Sequence, residues 1–162
     1  MLQMEVKLAR RSVLVVVTAV VLSSCGGGAR LTKPELIQQA DAICKASQST
    51  TDALLGGLPE TTTAEAMPAI ADVFGQVVPV FRETSRRLRA LRPPKGDEAA
   101  IDDWLNDFDR SVDHLNELRE MAASGDTDAF IAALDQSTAL GDQADAEATA
   151  YGFTVCGAAQ PA

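Results

Sequence analysis

The stretch DEAAIDDWLNDFDRSVDHLNELREMAA, residues 97–123, has the clearest helical pattern in the chain. Its apolar side chains recur every three or four positions, so they share the face of an α-helix that packs into a core. They are Ile101, Trp104, Leu105, Phe108, Val112, Leu115, Leu118 and Ala122. The pattern predicts an amphipathic helix and makes Trp104 and Phe108 core residues rather than parts of a binding site.

Three further segments show the same periodicity, and no stretch after Cys25 alternates as a strand does. They cover residues 32–55, residues 63–91 and a segment that begins at Asp126 as its N-cap. Connections of a few residues between amphipathic helices favour antiparallel neighbours. The sequence therefore predicts an all-α, up-down-up-down four-helix bundle over residues 32–157.

The predicted helix ends depend on recognisable signals. Capping boxes are expected where a threonine is followed three residues later by a glutamate. The two pairs are Thr32 with Glu35 and Thr62 with Glu65.

Within the second helix, Pro79 lacks an N–H and its ring clashes with the preceding turn, so a kink or break is expected between Gly75 and Pro79. Small residues on one face of the fourth helix should let a neighbouring helix approach closely. They are Ser137, Gly141, Ala144 and Ala148.

Composition and the absence of known motifs argue against several classes of function. The chain has 162 residues, which fits one domain, and a formal net charge of −9. That charge argues against a nucleic-acid partner, because phosphate binding needs a surplus of lysine and arginine. No sequence pattern for a phosphate-binding loop, a zinc protease or a serine hydrolase is present, so no cofactor and no enzymatic activity are predicted.

The first 24 residues have the features of an export signal. An apolar run at residues 13–22 is too short to span a bilayer and follows three basic residues, Lys7, Arg10 and Arg11. The run ends in LSSC, residues 22–25, which resembles the lipobox of bacterial lipoproteins. This resemblance implies cleavage before Cys25 and attachment of a diacylglyceryl group to its thiol. An ordinary secretory leader with a chance cysteine is the alternative, and the choice between general secretory and twin-arginine export stays open.

Removal of residues 1–24 leaves 11 basic and 22 acidic side chains, a net charge of −11. Anionic lipid repels such a domain, so a covalent lipid is a sensible means of holding it at a membrane. Residues 25–31 form a short tether that reaches about 13 Å on average, and residues 158–162 are expected to be a disordered tail. We expect a lipid-anchored monomer on the extracytoplasmic face of the cell membrane.

If Cys25 is acylated, one pairing remains for the other two cysteines, Cys44 with Cys156. An oxidising compartment favours that bond. The bundle places the end of the fourth helix near the start of the first, from where the tail can reach Cys44. Free buried thiols or a redox pair are the alternatives, although neither cysteine lies in a Cys-x-x-Cys arrangement.

The segments around these two cysteines, ADAIC at residues 40–44 and YGFTVCG at residues 151–157, carry a further resemblance. Together with the lipobox they are similar to a group of small lipoproteins of high-GC Gram-positive bacteria. Those proteins share a lipobox, an early cysteine after a short acidic-alanine run and a late Cys-Gly. The resemblance implies a layout and a location, and it carries over no functional residue.

The charged residues offer two candidate surfaces. Acidic residues crowd the third helix, where Asp103, Asp107, Asp109 and Asp113 are candidates for weak divalent-cation binding; the alternative is a solvated face. A basic stripe on the second helix comprises Arg82, Arg86 and Arg89. It could meet an anionic lipid or polymer, but neutralisation of the acidic third helix is the favoured interpretation.

His114 is the only histidine of the chain, and we expect it on an exposed polar surface together with Asp107 and Arg110. The resulting hypothesis is a non-enzymatic envelope lipoprotein that binds a protein or a small ligand. Weak metal or cationic-ligand binding by the third helix is the alternative. An open apolar pocket between the second and third helices would favour a small ligand, and a closed core would favour a protein partner.

Overall fold

The computed structural model describes residues 29–157; the predicted leader, Cys25 and the last five residues lie outside the described part. Four α-helices make up its regular structure: α1 (Lys33–Leu55), α2 (Met67–Arg89), α3 (Glu98–Ser124) and α4 (Thr127–Tyr151). Consecutive helices pack against each other, α1 on α2, α2 on α3 and α3 on α4. The prediction of an all-α four-helix bundle is confirmed.

Two of the predicted helix starts agree with the structure. At α1, the capping box predicted for Thr32 and Glu35 is present, and the Glu35 carboxylate accepts a hydrogen bond from the Thr32 N–H at 2.8 Å. The Thr32 hydroxyl also donates to this carboxylate, at 2.7 Å. At α4, the Asp126 carboxylate accepts from the Ala129 N–H at 3.0 Å. The N–H groups of Thr32 and Ala129 are backbone donors that the start of a helix leaves without internal partners. The two carboxylates bond these groups and so set where each helix begins.

The predicted start of α2 is wrong. The helix begins at Met67 instead of residue 63, so Thr62 and Glu65 precede it in the connecting segment. Pro68 is the reason, because a proline beyond the first turn would clash with the carbonyl four residues earlier. With the helix start at Met67, Pro68 occupies the first turn, where a missing N–H has no cost.

Further along, α2 runs through Pro79 without interruption, so the predicted break does not occur; a bend there stays a prediction. Gly75 and Pro79 are both exposed. The Gly75 carbonyl, which loses its partner at Pro79, therefore lies on the side of the helix that water reaches.

The buried core consists of two hydrophobic clusters, one towards each end of the bundle. The first surrounds Trp104, whose ring centroid lies 4.6 Å from that of Phe153, and includes Leu36, Ile43, Leu88, Ile101, Leu105 and Ala148. The second pairs Phe74 with Phe130 at 6.1 Å and includes Met67, Ile70, Val77, Leu118 and Ala122. As predicted, Trp104 is a core residue.

The segment after α4, residues 152–157, folds back along α1. Gly152 allows the reversal, since its φ of 114° is a conformation that residues with a side chain rarely adopt. Phe153 then enters the first cluster and Cys156 bonds Cys44, with a Cα–Cα distance of 5.2 Å. The predicted disulfide is confirmed, and it joins positions 112 residues apart.

This returning segment takes the place of direct helix packing between α1 and α4, which scarcely touch. The Asp41 carboxylate accepts backbone N–H bonds from Thr154, Val155 and Cys156 at 2.9–3.2 Å. The two motifs that carry the lipoprotein resemblance, ADAIC and YGFTVCG, are therefore in contact. None of the four described helices combines the length and the apolar composition needed to cross a membrane.

Candidate functional site

A cavity of about 300 Å³ lies in the middle of the bundle, between the two hydrophobic clusters. All four helices and the returning segment contribute to its wall. The lining is mostly apolar and comprises Cys44, Ser47, Gln48, Leu55, Phe74, Val77, Phe81, Thr84, Phe108, Ser111, Val112, Leu115, Ser137, Gly141, Ala144, Asp145, Val155 and Cys156. The sequence analysis had associated a small ligand with an open apolar pocket between the second and third helices, whereas this cavity is bounded by all four helices.

Small residues on α4 account for the space. A Cβ atom placed on Gly141 would meet nothing within 4 Å. One and two turns later on the same face, Ala144 and Ala148 are 3% and 0% exposed and belong to the first hydrophobic cluster. At Gly141 no neighbouring atom comes as close, so the space beside it remains open.

Three phenylalanine rings form an aromatic floor, which we define as Phe74, Phe81 and Phe108. Phe81 of α2 and Phe108 of α3 meet edge to face, with centroids 6.0 Å apart and ring planes at 89°. Aromatic pairs prefer this geometry and hold each other in place. Phe108 is thus part of the cavity wall as well as the α3 apolar face, whereas the sequence analysis had placed it in the core alone.

Most polar groups of the lining already have protein partners. The Thr84 hydroxyl donates to the Ser47 hydroxyl at 2.8 Å, which links α2 to α1. The Gln48 amide donates to the Val155 carbonyl at 3.1 Å, and the Ser111 hydroxyl donates to the Phe108 carbonyl at 2.7 Å. These bonds occupy the polar atoms, and the surface that remains for a ligand on this side is apolar.

The Ser137 hydroxyl and the Asp145 carboxylate are the exceptions, because neither makes a hydrogen bond with any described residue. Among the described residues that line the cavity, Asp145 is the only charged one, and it forms no ion pair with any of them. Burial raises the pKa of Asp145, and the nearby Asp142 carboxylate raises it further. Sequence reasoning missed this residue. Its position four residues after Gly141, on the small-residue face of α4, was the available signal.

Two of the three arginines in the basic stripe pair with acidic residues of α3 at exposed positions. Arg89 contacts Asp109 of α3 at 2.6 Å, and Arg82 lies 3.6 Å from Asp113 of α3. These contacts agree with the favoured interpretation. Arg86 differs, since it pairs with Glu83 of its own helix at 2.6 Å.

The four acidic candidates for cation binding do not converge. Asp109 accepts from the Ser85 hydroxyl as well as from Arg89, and Asp103 and Asp113 are exposed at separate places along α3. No group of three or more potential ligands is arranged for a metal ion within the described residues.

Two expectations for α3 are wrong, since Asp107 and His114 are buried, at 7% and 5% exposure. Asp107 accepts hydrogen bonds from Gln143 of α4 and from Arg110. The His114 ring nitrogens lie 2.9 Å from a Glu117 carboxylate oxygen and 3.1 Å from the Ala133 carbonyl of α4. The reason is that α3 packs against both α2 and α4, so it has two buried faces, and the second one is polar.

No protein-family model matches this chain, and neither does any curated protein or solved structure with which it was compared. The cavity, its aromatic floor and the Asp145 carboxylate are therefore the features from which a function is argued.

Proposed function

We propose that this chain is a non-enzymatic lipoprotein of the cell envelope that binds a small, mainly apolar ligand in its central cavity. The cavity is the observation that supports the proposal. Its volume of about 300 Å³ lies at the lower end of ligand pockets and is about twice that of an engineered apolar cavity that holds benzene.

Binding is favoured over catalysis by the chemistry of the lining. Among the described residues around the cavity, Asp145 is the only titratable side chain outside the disulfide. A hydrolase or transferase needs a nucleophile beside a base, or an acid beside a base. One carboxylate in a lining of apolar and aromatic side chains has neither arrangement, whereas it suits recognition of a ligand.

The proposed location depends on Cys25 and on the distribution of charge. The tether reaches the bundle at the end where α1 begins and α2 ends, and the Leu31 N–H bonds the Arg92 carbonyl there at 2.9 Å. Seven of the eleven basic side chains in the described residues are at this end: Arg30, Lys33, Arg86, Arg87, Arg89, Arg92 and Lys95. This distribution favours an orientation with the less acidic end towards anionic lipid headgroups.

A monomer that acts through its cavity is the simplest form of the proposal. Among the described residues, Ile131 is the only large apolar side chain that is exposed, at 49%. A stable protein–protein interface normally needs a larger apolar centre.

Cation binding by Asp103, Asp107, Asp109 and Asp113 has no comparable support, because their carboxylates are dispersed or paired.

Ligand binding is tested with N-phenyl-1-naphthylamine, an uncharged probe whose fluorescence rises in apolar surroundings. We expect the exported domain to bind it and the Gly141→Leu variant to bind at least tenfold more weakly, because the new side chain fills the cavity. Ala146→Leu is the matched control, since Ala146 is an exposed residue of the same helix. Absence of binding by the natural chain, or equal binding by both variants, would contradict the proposal.

Lipidation is tested separately by growth of a host that processes lipoproteins with an alkyne-labelled palmitate analogue. The natural chain should incorporate the label into the membrane fraction, and Cys25→Ala should abolish incorporation. Substitution of Cys44 and Cys156 should leave labelling unchanged. An unlabelled natural chain would overturn the membrane anchor without bearing on the cavity.

A further inference from the structure

The position of Asp145 determines what kind of apolar molecule suits the cavity, and this inference rests on the proposed function. A carboxylate that is partly withdrawn from water without a positive partner is unfavourable, so natural proteins normally pair such groups. In the described chain, arginine side chains pair with other acids, but no arginine or lysine lies in the wall of this cavity.

The surroundings of Asp145 on α4 leave room for a ligand group. Ser137, Gly141 and Asp145 follow each other at intervals of four residues and therefore share one helical face. Gly141 presents no side chain between the two polar residues. The Ser137 hydroxyl, like the Asp145 carboxylate, has no hydrogen-bond partner among the described residues. A polar group that enters here can meet both.

The other side of the cavity is aromatic. Phe74, Phe81 and Phe108 come from α2 and α3 and line the same cavity as Ser137 and Asp145 of α4. The face of an aromatic ring carries negative potential and attracts a cation, and the attraction grows when water is excluded. The two sides together favour a positively charged group near α4 attached to an apolar body that lies on the rings.

We propose that the cavity binds an amphiphilic organic cation, a molecule with one protonated amine held by the Asp145 carboxylate and an apolar part in contact with the aromatic floor. A metal ion does not suit the site, because one carboxylate offers too few ligands. The strongly negative charge of the exported chain raises the local concentration of such cations.

The test uses three probes with the same eight-carbon chain: octylamine, which is protonated at neutral pH, 1-octanol and octanoate. Each is tested for displacement of N-phenyl-1-naphthylamine from the exported domain, so their affinities are measured in one assay. We expect octylamine to bind about tenfold more tightly than octanol, since charge-assisted contacts are stronger than neutral ones, and octanoate to bind most weakly.

The Asp145→Asn variant should lose the preference for octylamine and keep its affinity for octanol. Asp142→Asn is the matched control, because Asp142 lies one turn away, is exposed and does not line the cavity. It removes the same charge from the same helix and should retain the preference. If both variants lose it equally, general attraction by the acidic chain is responsible and the proposal is wrong.

Equal affinity of the natural chain for octylamine and octanol would also overturn this inference, and that comparison needs no variant to fold. The proposed function would survive, because an apolar ligand would still bind. Failure of the naphthylamine and of all three octyl probes would instead overturn the proposed function, so the two failures are distinguishable.

Discussion

Asp41 and Thr154, 113 residues apart, are joined by three contacts, because the carboxylate accepts from the Thr154 N–H at 3.0 and 3.2 Å and from its hydroxyl at 2.7 Å. Asp41 lies one turn before Cys44 on α1, and Thr154 lies two residues before Cys156. The returning segment is therefore held by a carboxylate and a disulfide that are neighbours. Together they close the side of the bundle that α1 and α4 leave open.

Replacement of Asp41 should weaken this attachment. We expect Asp41→Ala to lower the free energy of unfolding by about 1.5 kcal/mol, the low end for hydrogen bonds to a charged group, since water reaches this partly exposed site. Chemical denaturation measures the change. Asp52→Ala, an exposed residue of the same helix, should stay within about 0.5 kcal/mol of the natural chain.

The same carboxylate should make stability depend on acidity. Burial raises the pKa of Asp41, but the hydrogen bonds from Thr154, Val155 and Cys156 outweigh burial, so its pKa lies below the usual range. Because the folded pKa is depressed, the contribution is present above the unfolded pKa and is lost as the pH falls below about 4. The difference in stability between the natural chain and Asp41→Ala should shrink over that interval. A constant difference from pH 7 to pH 2 would contradict this assignment.

Loss of the disulfide should lower the free energy of unfolding more than any of the single substitutions. The bond closes a loop of 112 residues, for which the chain-entropy model gives about 4–5 kcal/mol. We expect the Cys44→Ala, Cys156→Ala double variant and the reduced natural chain to unfold at similar, much lower denaturant concentrations. If reduction leaves the unfolding midpoint unchanged, the returning segment contributes little to the stability of the fold.

Replacement of Gly141 and of Gly125 by alanine should change stability in opposite directions. A Cβ atom on either Gly141 or Gly125 would meet nothing within 4 Å, but Gly125 has a φ of 77° and Gly141 lies within α4. Gly141→Ala should stabilise the protein by about 1 kcal/mol through helix propensity. Gly125→Ala should destabilise it by about 1 kcal/mol, because a side chain is strained at positive φ. Thermal unfolding of the two variants shows whether the signs differ.

Replacement by alanine should affect stability differently at Asp107 and at Asp103, although the two residues lie one turn apart on α3. Asp107 is buried and accepts a hydrogen bond from Gln143 of α4, whereas Asp103 is exposed. We expect Asp107→Ala to cost about 1–3 kcal/mol, because the hydrogen bonds that its buried carboxylate accepts from Gln143 and Arg110 are lost. Asp103→Ala should have almost no effect on the unfolding midpoint, and comparable losses for both would show that the burial of Asp107 does not matter.

Asp145→Asn should stabilise the unliganded protein at neutral pH. Burial, followed by the neighbouring Asp142, raises the pKa of Asp145, so the folded state disfavours its charge. The amide removes that cost, and we expect a gain below about 1 kcal/mol, because the group is partly exposed. The gain should vanish in acid, where both proteins are neutral at this position. A loss of stability at pH 7 would show that the carboxylate has a structural partner.

Periodicity was sufficient to predict the four helices, since an apolar face repeats every turn wherever a helix packs against a core. The pairing of Cys44 with Cys156 also followed from the chain, because antiparallel helices return the end of the fold to its beginning. Local signals were less reliable where two of them competed, as at Glu65 and Pro68, where proline stereochemistry determined the helix start.

The buried polar face of α3 and the central cavity depended on tertiary structure. Asp107 and His114 look like solvated residues in the sequence, and they are buried only because α4 covers the side of α3 that α2 does not. The cavity is likewise a property of no single segment. Gly141 and Ser47 are small, but they enclose space only because α1 and α4 stand apart and a disulfide-bonded segment joins them, and this spacing is set by the packing of all four helices.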